Sequence, residues 1–276
     1  MFTGAASGIG EQLARGLGAR GSDLVLLDRD AARLDTVAAE VRRAHPGIAV
    51  ETLVVDLADA EATTEAAQRI RREHPRIGLL VNNAGVALGG RFDQVTLADF
   101  EWVMNINFRA PVLLTHHLLP ALTAEAGGHL VNVSSLFGLI APAGQSAYSA
   151  SKFALRGFSQ VLRAELAERG VGVTTVHPGG IRTRIAESAR IGGDVDAEEA
   201  ERHQRAFARL LTYPPEKAAA EILAAVERRR ARVLIAASAK VPDLLARLLP
   251  VGHARLMALL TEATTRAGRT PVGGRR

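Results

Sequence analysis

The chain has 276 residues, 47% of them hydrophobic, and a formal net charge of +5 at pH 7. It contains no cysteine, which excludes disulfides, thiolate metal sites and a cysteine nucleophile. The N-terminus has neither the cationic nor the apolar segment of a signal peptide, and no apolar run approaches the roughly 18 residues needed to span a bilayer. We therefore expect a cytoplasmic protein with a full hydrophobic core.

The positive charge is concentrated near the C-terminus. From residue 227 onward, eleven Lys and Arg residues face three acidic residues, a net charge of +8, so the rest of the chain sums to −3. A basic segment can bind nucleic acid or an anionic membrane surface, but aromatic residues, which stack on bases, make up only 4% of the chain. We expect no nucleic-acid partner. A solvated tail is favoured, and contact with an anionic surface or ligand is the alternative.

Short apolar segments alternate with longer amphipathic ones, which is typical of βαβ units and a parallel sheet. Strands are predicted at 23–28, 48–56, 77–83, 129–135, 171–178 and 231–236. Helices are predicted at roughly 30–44, 59–74, 96–123, 147–169 and 215–229. The order predicts a single α/β domain with a Rossmann-type doubly wound sheet. We place this domain at 1–238, with a substrate loop near 182–212 and a leucine-rich basic extension at 239–276.

The first strand is a problem, because only Met1 and Phe2 precede the glycine-rich stretch TGAASGIG. In a sheet of strand order 3-2-1-4-5-6 this strand is central, and two residues are short against the usual five or six. We therefore expect a truncated first strand whose neighbours each lose pairing. Our hypothesis is that the natural protein begins upstream of Met1; the alternative is a chain that starts here and tolerates a defective sheet.

The glycine-rich stretch predicts a dinucleotide site. Gly4, Gly8 and Gly10 allow a sharp turn in which backbone N–H groups at a helix N-terminus approach a pyrophosphate. Asp28 ends the next predicted strand, about 20 residues further on, where a carboxylate would accept hydrogen bonds from ribose hydroxyls. The alternative is that Asp28 is only a turn residue or a helix N-cap.

Asp28 also bears on the choice of cofactor, since a carboxylate there repels a 2′-phosphate and favours NAD. Arg29, with Arg33 one turn later, would instead accept that phosphate and favour NADP. Ser7 adds no basic residue to the turn. NAD is therefore favoured, with NADP as the alternative.

A second group of residues has catalytic chemistry. Tyr148 and Lys152 are four residues apart and share one face of a predicted helix. A free tyrosine has a pKa near 10, and a nearby ammonium favours the phenolate and lowers that pKa. Ser135 ends a predicted strand, at the edge of the sheet where ligands of such folds bind. A tyrosine and a lysine at this spacing are usually an exposed pair without a catalytic role. The presence of Ser135 is the observation that favours a catalytic role here.

Eight motifs occur in order along the chain and coincide with the predicted strands: TGAASGIG (3–10), Asp28, VVDLAD (54–59), NNAG (82–85), MNINF (104–108), NVSS (132–135), YSASK (148–152) and HPGGIRT (177–183). On these motifs the chain resembles the short-chain dehydrogenase/reductase family, in its branch of about 250 residues. The resemblance runs from Thr3 to roughly Ile235. Each motif alone is weak, whereas eight in register are specific.

The resemblance implies a role for each matching position. Tyr148 would be the acid/base, Lys152 would lower its pKa and hold the nicotinamide ribose, Ser135 would hold the substrate oxygen, and Asn107 would anchor a water relay. Residues expected to contact the cofactor are Thr3, Gly4, Ser7, Gly8, Ile9, Gly10, Asp28, Arg29, Asp56, Leu57, Asn83, Ala84, Gly85, Tyr148, Lys152, Pro178, Gly179, Ile181 and Thr183.

Structural roles remain open for some of these positions. Asn107 could bond helix backbone, Asn82 and Asn83 could stabilise the sheet edge, and Thr183 could be a helix N-cap. Gly180 doubles the glycine after Pro178, which we expect to loosen the loop that closes over the nicotinamide.

The expected reaction is hydride transfer between a secondary alcohol or its ketone and NAD(P).

The leucine-rich stretch at 241–260 has Leu244, Leu245, Leu248 and Leu249 at helical spacing. Such a helix would pack on the domain or across a dimer; the alternatives are a lid over a lipophilic substrate and an amphipathic helix on a membrane surface. The resemblance implies a homodimer or homotetramer, paired through 96–123 and 147–169. A non-catalytic nucleotide-binding protein or a membrane-binding module of the same fold is the competing class, and a sugar-nucleotide epimerase would have a larger C-terminal domain.

Overall fold

The computed structural model describes residues 1–124 and 126–252, and the predicted stretch beyond 252 lies outside the described residues. The strands are β1 Phe2–Thr3, β2 Leu24–Asp28, β3 Val50–Val54, β4 Leu79–Asn82, β5 Leu88–Gly89, β6 His129–Val133, β7 Gly172–Pro178, β8 Arg190–Ile191 and β9 Arg232–Ile235. The helices are α1 Gly8–Gly18, α2 Ala31–Ala44, α3 Ala60–Glu73, α4 Leu97–Met104, α5 Ala110–Leu122, α6 Ser146–Glu165, α7 Ala197–Leu210, α8 Pro215–Glu227 and α9 Ala237–Leu248.

Seven strands form one parallel sheet in the order β3-β2-β1-β4-β6-β7-β9. Helices cover both faces, because the strands are apolar on both sides. Leu13 of α1, Leu34 of α2 and Ile222 of α8 belong to the core on one face. Ile70 of α3 and Leu118 of α5 belong to the core on the other. The predicted Rossmann-type doubly wound fold is confirmed, with each predicted strand of the sheet present.

The first strand is two residues long, yet it is central as expected. Phe2 is fully buried and pairs with Leu26 of β2 and Val81 of β4. The carbonyl of Met1 accepts from the Val81 N–H at 3.0 Å, and the Met1 ammonium donates to the Leu79 carbonyl at 2.9 Å. The two neighbouring strands are therefore bridged along this stretch, and the expected loss of pairing to both is not seen there. An upstream start stays a prediction.

The predicted helix at 96–123 is interrupted. Five residues, Asn105–Arg109, form a π-helical segment between α4 and α5. A π segment accommodates an extra residue within a helix and is common at functional sites. The apolar periodicity continues through it, so a sequence pattern cannot separate the three pieces.

The structure adds two short strands that the sequence did not predict. β5, between β4 and α4, and β8, within the substrate loop predicted near 182–212, pair as a small parallel sheet of their own. The same loop contains α7. α9 crosses the predicted boundary at 238–239, with Ala239, Pro242 and Asp243 buried. The first part of the leucine-rich stretch therefore packs on the domain. No described helix is long and apolar enough to cross a membrane.

Candidate active site

The carboxyl ends of the sheet strands open into one cleft of about 2050 Å³. Most of the predicted site residues line it: Gly4, Ser7, Gly8, Ile9, Asp28, Arg29, Asp56, Leu57, Asn83, Ala84, Gly85, Ser135, Tyr148, Lys152, Pro178, Gly179, Ile181 and Thr183. The other three, Thr3, Gly10 and Asn107, lie behind its wall, where they contact residues that do line it.

The turn between β1 and α1 requires glycine at three positions. Gly4 and Gly8 have φ angles of +68° and +57°, a region that other residues rarely adopt. A Cβ atom at Gly10 would lie 1.8 Å from the Gly4 carbonyl oxygen, so the helix and the turn touch without room for a side chain. The Ser7 side chain makes no capping bond to α1. The helix N-terminus therefore presents its N–H groups to the cleft, which fits a phosphate ligand.

Asp28 ties the end of β2 to this turn. One carboxylate oxygen accepts from the Ala6 N–H at 3.0 Å and the other from the Asp30 N–H at 3.0 Å. Asp30 rather than Asp28 caps α2, by accepting from the Arg33 N–H. The carboxylate is held at the cleft wall, where each oxygen keeps a lone pair for a further donor.

The NNAG motif has the structural role that was left open for it. The Thr3 hydroxyl accepts from the backbone N–H groups of Asn83 at 3.1 Å and Ala84 at 3.0 Å. The Asn83 amide donates to the carbonyls of Thr3 and Gly4. The Asn82 amide donates to Asn132 of β6 at 2.8 Å. These bonds lock the glycine turn to the ends of β4 and β6.

The Asp56 carboxylate follows β3 and accepts from the Ala58 N–H at 2.9 Å. This bond shapes the turn into α3, from which both Asp56 and Leu57 line the cleft. The turn therefore supplies both a carboxylate and an apolar surface to the cleft.

Ser135, Tyr148 and Lys152 come together deep in the cleft. Ser135 follows β6, and Tyr148 and Lys152 lie on the first two turns of α6, all three buried. The edge of the Phe137 ring meets the Tyr148 ring, with centroids 6.0 Å apart. Burial raises the pKa of Tyr148, and a hydrogen bond with the Ser135 hydroxyl opposes that rise.

Lys152 lies beside Tyr148 as expected, and its effect on the pKa of Tyr148 stays a prediction. Its ammonium donates to the Val133 carbonyl at 3.0 Å and lies 5.7 Å from the centroid of the Tyr148 ring. Burial lowers the pKa of Lys152 itself to about 8. Burial is thus the main cause of the shifts in both pKa values.

Asn107 lies in the π-helical segment and is fully buried. Its side chain accepts from the Val86 N–H at 2.8 Å, and donates to the Val86 carbonyl at 3.0 Å and the Ser151 hydroxyl at 3.1 Å. It thus bonds the backbone after β4 rather than helix backbone. A Cβ atom at Gly85 would lie 3.2 Å from the Lys152 ammonium and 3.4 Å from the Asn107 oxygen, so these groups flank Gly85.

The loop after β7 is more tightly packed than its two glycines suggested. A Cβ atom at Gly180 would lie 1.9 Å from the Leu210 carbonyl oxygen, and one at Gly179 would lie 2.2 Å from the Ser238 hydroxyl. The expectation that Gly180 loosens the loop is therefore wrong, because both glycines permit close contacts with α7 and α9. Thr183 precedes a turn rather than a helix, so the N-cap alternative is also wrong. A Cβ atom at Gly8 would meet the Thr183 methyl at 2.8 Å, across the cleft mouth.

Sequence reasoning missed two features of the site. The His177 ring bonds the Ser135 carbonyl at 3.0 Å, and its position at the end of a predicted strand was the available signal. Much of the remaining cleft lining, which we call the outer cleft, is apolar, and the sequence marked only the part of it that lies in the leucine-rich stretch, Val241 and Leu245. Its lining includes Phe92, Phe137, Ile140, Phe153, Ile185, Phe207, Leu210, Leu211, Val241 and Leu245.

Comparison with known proteins identifies the family. Residues 1–192 match the sequence profile described as short chain dehydrogenase. The chain belongs to the short-chain dehydrogenase family. SadH of Mycobacterium tuberculosis is 40% identical over 262 residues, which cover 94% of this chain and 93% of SadH.

Solved structures of this family agree with the fold. A short-chain dehydrogenase from Streptomyces avermitilis is 31% identical with a TM-score of 0.78, covering 97% of this chain and 96% of its own. A short-chain dehydrogenase from Sphingobium yanoikuyae, solved in complex with NADPH, is 30% identical with a TM-score of 0.72, covering 99% and 96%. The family is one of oxidoreductases, and the site described above lies where its sequence motifs meet in space.

Proposed function

We propose that the protein is an NAD(P)-dependent oxidoreductase that transfers a hydride between a secondary alcohol or its ketone and C4 of nicotinamide. The observation that carries the proposal is that Ser135, Tyr148 and Lys152 are buried together in the cleft that also contains the glycine turn. A protein that only binds nucleotides has no need of these three side chains at one place. The nicotinamide cofactor, when bound, supplies or accepts the hydride.

Tyr148 is proposed as the proton donor and acceptor. In the direction of oxidation the phenolate takes the hydroxyl proton as hydride leaves the carbon, and the Ser135 hydroxyl holds the oxygen that becomes a carbonyl. In the direction of reduction the protonated phenol donates to the carbonyl oxygen. Burial raises the pKa of Tyr148, which favours the protonated form.

The residues of the inner cleft fit a dinucleotide. The glycine turn and the N-terminus of α1 would hold the pyrophosphate, and the Lys152 ammonium would hold the nicotinamide ribose. The Asp28 carboxylate, fixed by two backbone N–H groups, would hold the adenosine ribose.

NAD is the proposed cofactor, because the fixed carboxylate of Asp28 would repel a 2′-phosphate. NADP is the alternative, through Arg29, which also lines the cleft. Arg33 is less available because it pairs with Asp30 at 3.4 Å. A titration of the chain with NADH and NADPH, followed by fluorescence, decides between them. Tighter binding of NADPH would give the deciding role to Arg29.

A lipophilic substrate is proposed from the apolar lining of the outer cleft. Four segments contribute side chains to this lining: the loop before α4, α6, the region after β7, and α9. Burial of such a surface contributes roughly 25 cal/mol per Å², so an extended apolar substituent would gain affinity there. A panel of ketones of increasing alkyl length should show KM falling with length. A flat series would reject this part of the proposal.

Replacing the proposed acid/base tests the reaction itself. Tyr148→Phe should reduce turnover by roughly 100-fold or more, since positioned proton transfer contributes about that factor. Cofactor binding, measured by NADH fluorescence, should be kept because the ring stays in place. Retained turnover in the variant would reject the assignment, and loss of cofactor binding as well would show a structural defect instead.

We further propose a cytoplasmic homodimer or homotetramer paired through α4, α5 and α6. The support is the family alone, whose members commonly pair through these helices. Light scattering after gel filtration measures the mass and tests it.

A further inference from the structure

One face of α9 and the end of α7 leave large apolar side chains in contact with water. Val241, Leu244 and Leu248 recur at helical spacing on α9 and are 58%, 57% and 68% exposed. Leu210, the last residue of α7, is 66% exposed. We refer to these four residues as the cleft rim.

The cleft rim is continuous with the apolar interior of the cleft. Val241 and Leu210 line the cleft as well as being exposed. Gly180 joins the two elements, because its N–H donates to the Ser238 hydroxyl of α9 at 3.1 Å and a Cβ there would touch the Leu210 carbonyl oxygen. An apolar molecule at the cleft rim would therefore meet apolar surface all the way into the cleft.

Exposed cations adjoin the cleft rim in the chain. Arg209 and Lys240 directly precede Leu210 and Val241, and Arg182 is two residues after Gly180. Within the described residues none of these three cations has an ion-pair partner. Arg247 differs, since it pairs with Asp243 at 3.1 Å.

Carboxylates of the same segments form ion pairs with other cations. Asp243 pairs with Arg232 and Arg247, and Glu187 pairs with Arg184 at 2.8 Å. On α7, Glu198 pairs with Arg202 at 3.6 Å and Glu201 pairs with Arg205 at 2.5 Å. These ion pairs leave the charges of Arg209, Lys240 and Arg182 available to an anionic ligand.

We propose that the cleft rim rests on an anionic lipid surface, from which a lipophilic substrate enters the cleft. Exposed aliphatic side chains beside unpaired cations match the boundary between acyl chains and anionic headgroups. A second copy of the chain fits less well, because it would bring like charges together. The inference rests on the proposed function only for the lipophilic nature of the substrate, since binding to lipid needs no turnover.

Vesicle flotation of the full chain tests the proposal. The probe is vesicles of phosphatidylcholine with phosphatidylglycerol, in a ratio of about 7:3, against vesicles of phosphatidylcholine alone. The protein should float with the anionic vesicles at low salt. It should be largely released at about 1 M salt, where the Debye length falls to about 3 Å.

Two sets of variants separate the apolar and ionic parts. Leu244→Glu with Leu248→Glu should lower vesicle binding by roughly tenfold or more, because neither exposed leucine would then enter the lipid. Val54→Glu is the matched control, since Val54 is also 58% exposed but lies on β3, and it should float like the wild type. Arg209→Gln with Lys240→Gln should weaken binding to the anionic vesicles by roughly tenfold.

Each opposite result would overturn the proposal. Wild-type protein that stays in the soluble fraction with anionic vesicles at low salt would do so, as would equal flotation of the leucine variant and the wild type. Gel filtration with light scattering covers the competing occupant: a lower mass in the leucine variant would assign the cleft rim to a second copy. NADH binding by every variant confirms that the fold is intact, so failure here is distinguishable from failure of the proposed reaction.

Discussion

Two glycines shape the cleft near the glycine turn, because the absence of their side chains permits close contacts. Gly10 lies inside α1, where glycine is normally unfavourable, and its backbone approaches the Gly4 carbonyl so closely that no Cβ fits. Gly85 is similar, since the Lys152 ammonium and the Asn107 oxygen flank the space that a side chain would take. At both positions glycine loses more conformational entropy on folding than another residue would, but it permits a close contact in the site that a side chain would prevent.

Gly10→Ala should therefore lower the free energy of unfolding by about 1–3 kcal/mol, the usual effect of overpacking a tight contact. It should also weaken NADH binding, because the turn must move away from α1. Gly157→Ala is the control: Gly157 is a helical glycine on α6 with no atom within 4 Å of its would-be Cβ. That variant should gain about 0.5–1 kcal/mol. Urea unfolding measures both, and equal effects would contradict this account.

The ionisation of Lys152 gives a second prediction at this scale. Burial lowers its pKa to about 8, so the ammonium that would hold the ribose is present below that pH and is lost as the pH rises through it. The Kd for NADH should therefore rise between about pH 7 and pH 9. Fluorescence titrations across this range measure the change. A Kd that is constant over this range would show that the Lys152 ammonium does not contribute to NADH binding.

At the scale of elements, α9 decides the shape of the outer cleft. Its attachment depends on the buried Asp243, which pairs with Arg232 of β9, and on Ser238, which holds Gly180. The buried Ala239 and Pro242 add apolar packing to these polar bonds. Together they hold a helix that contributes Val241 and Leu245 to the cleft lining.

Arg232→Gln should release α9, because it leaves Asp243 partly buried without its inner partner. The expected cost is about 1–3 kcal/mol, less than for a fully buried pair since Arg232 keeps 27% of its side chain exposed. Arg247→Gln removes the outer partner of the same carboxylate. Because the Arg247 side chain is 60% exposed, this change should cost less than about 1 kcal/mol. Hydrogen exchange of the α9 amides reports the release directly. Equal exchange in the two variants would show that the inner ion pair does not anchor α9.

At the scale of the whole molecule, two buried histidines link stability to pH. His129 of β6 bonds the Thr174 hydroxyl, and His177 of β7 bonds the Ser135 carbonyl. Burial lowers the pKa of each to about 4, from an ordinary value of 6.5. Between these values the unfolded chain binds more protons than the folded one, so stability decreases as the pH falls from about 6.5 to 4.

The free energy of unfolding in urea should therefore fall by several kcal/mol between about pH 7 and pH 4.5. His129→Gln should remove part of this dependence, since the amide does not titrate. His116, an exposed residue of α5, is the control, and His116→Gln should leave the slope as it is in the wild type. A slope unchanged in both variants would assign the acid sensitivity to the carboxylates.

The sequence by itself determined the fold and the inner site of this protein. Alternation of apolar segments with amphipathic ones placed the strands and helices within a few residues of their observed bounds, because burial on both faces of a parallel sheet demands that pattern. The inner site follows from the same order, since motifs at the carboxyl ends of neighbouring strands meet at one edge. The sequence alone therefore predicts that one site contains Ser135, Tyr148, Lys152 and the glycine turn.

Only the tertiary structure decided what surrounds them. Whether Gly180 loosens a loop or admits Leu210 depends on a contact between segments thirty residues apart in the chain. The π-helical segment that carries Asn107, the pairing of two-residue strands and most of the apolar wall of the outer cleft likewise leave no local pattern. The ionisation of Tyr148 is of the same kind: residue spacing favours a lowered pKa, whereas burial in the assembled fold raises it. Local periodicity reflects which face of an element is buried, but distances and desolvation arise only when the elements pack against each other.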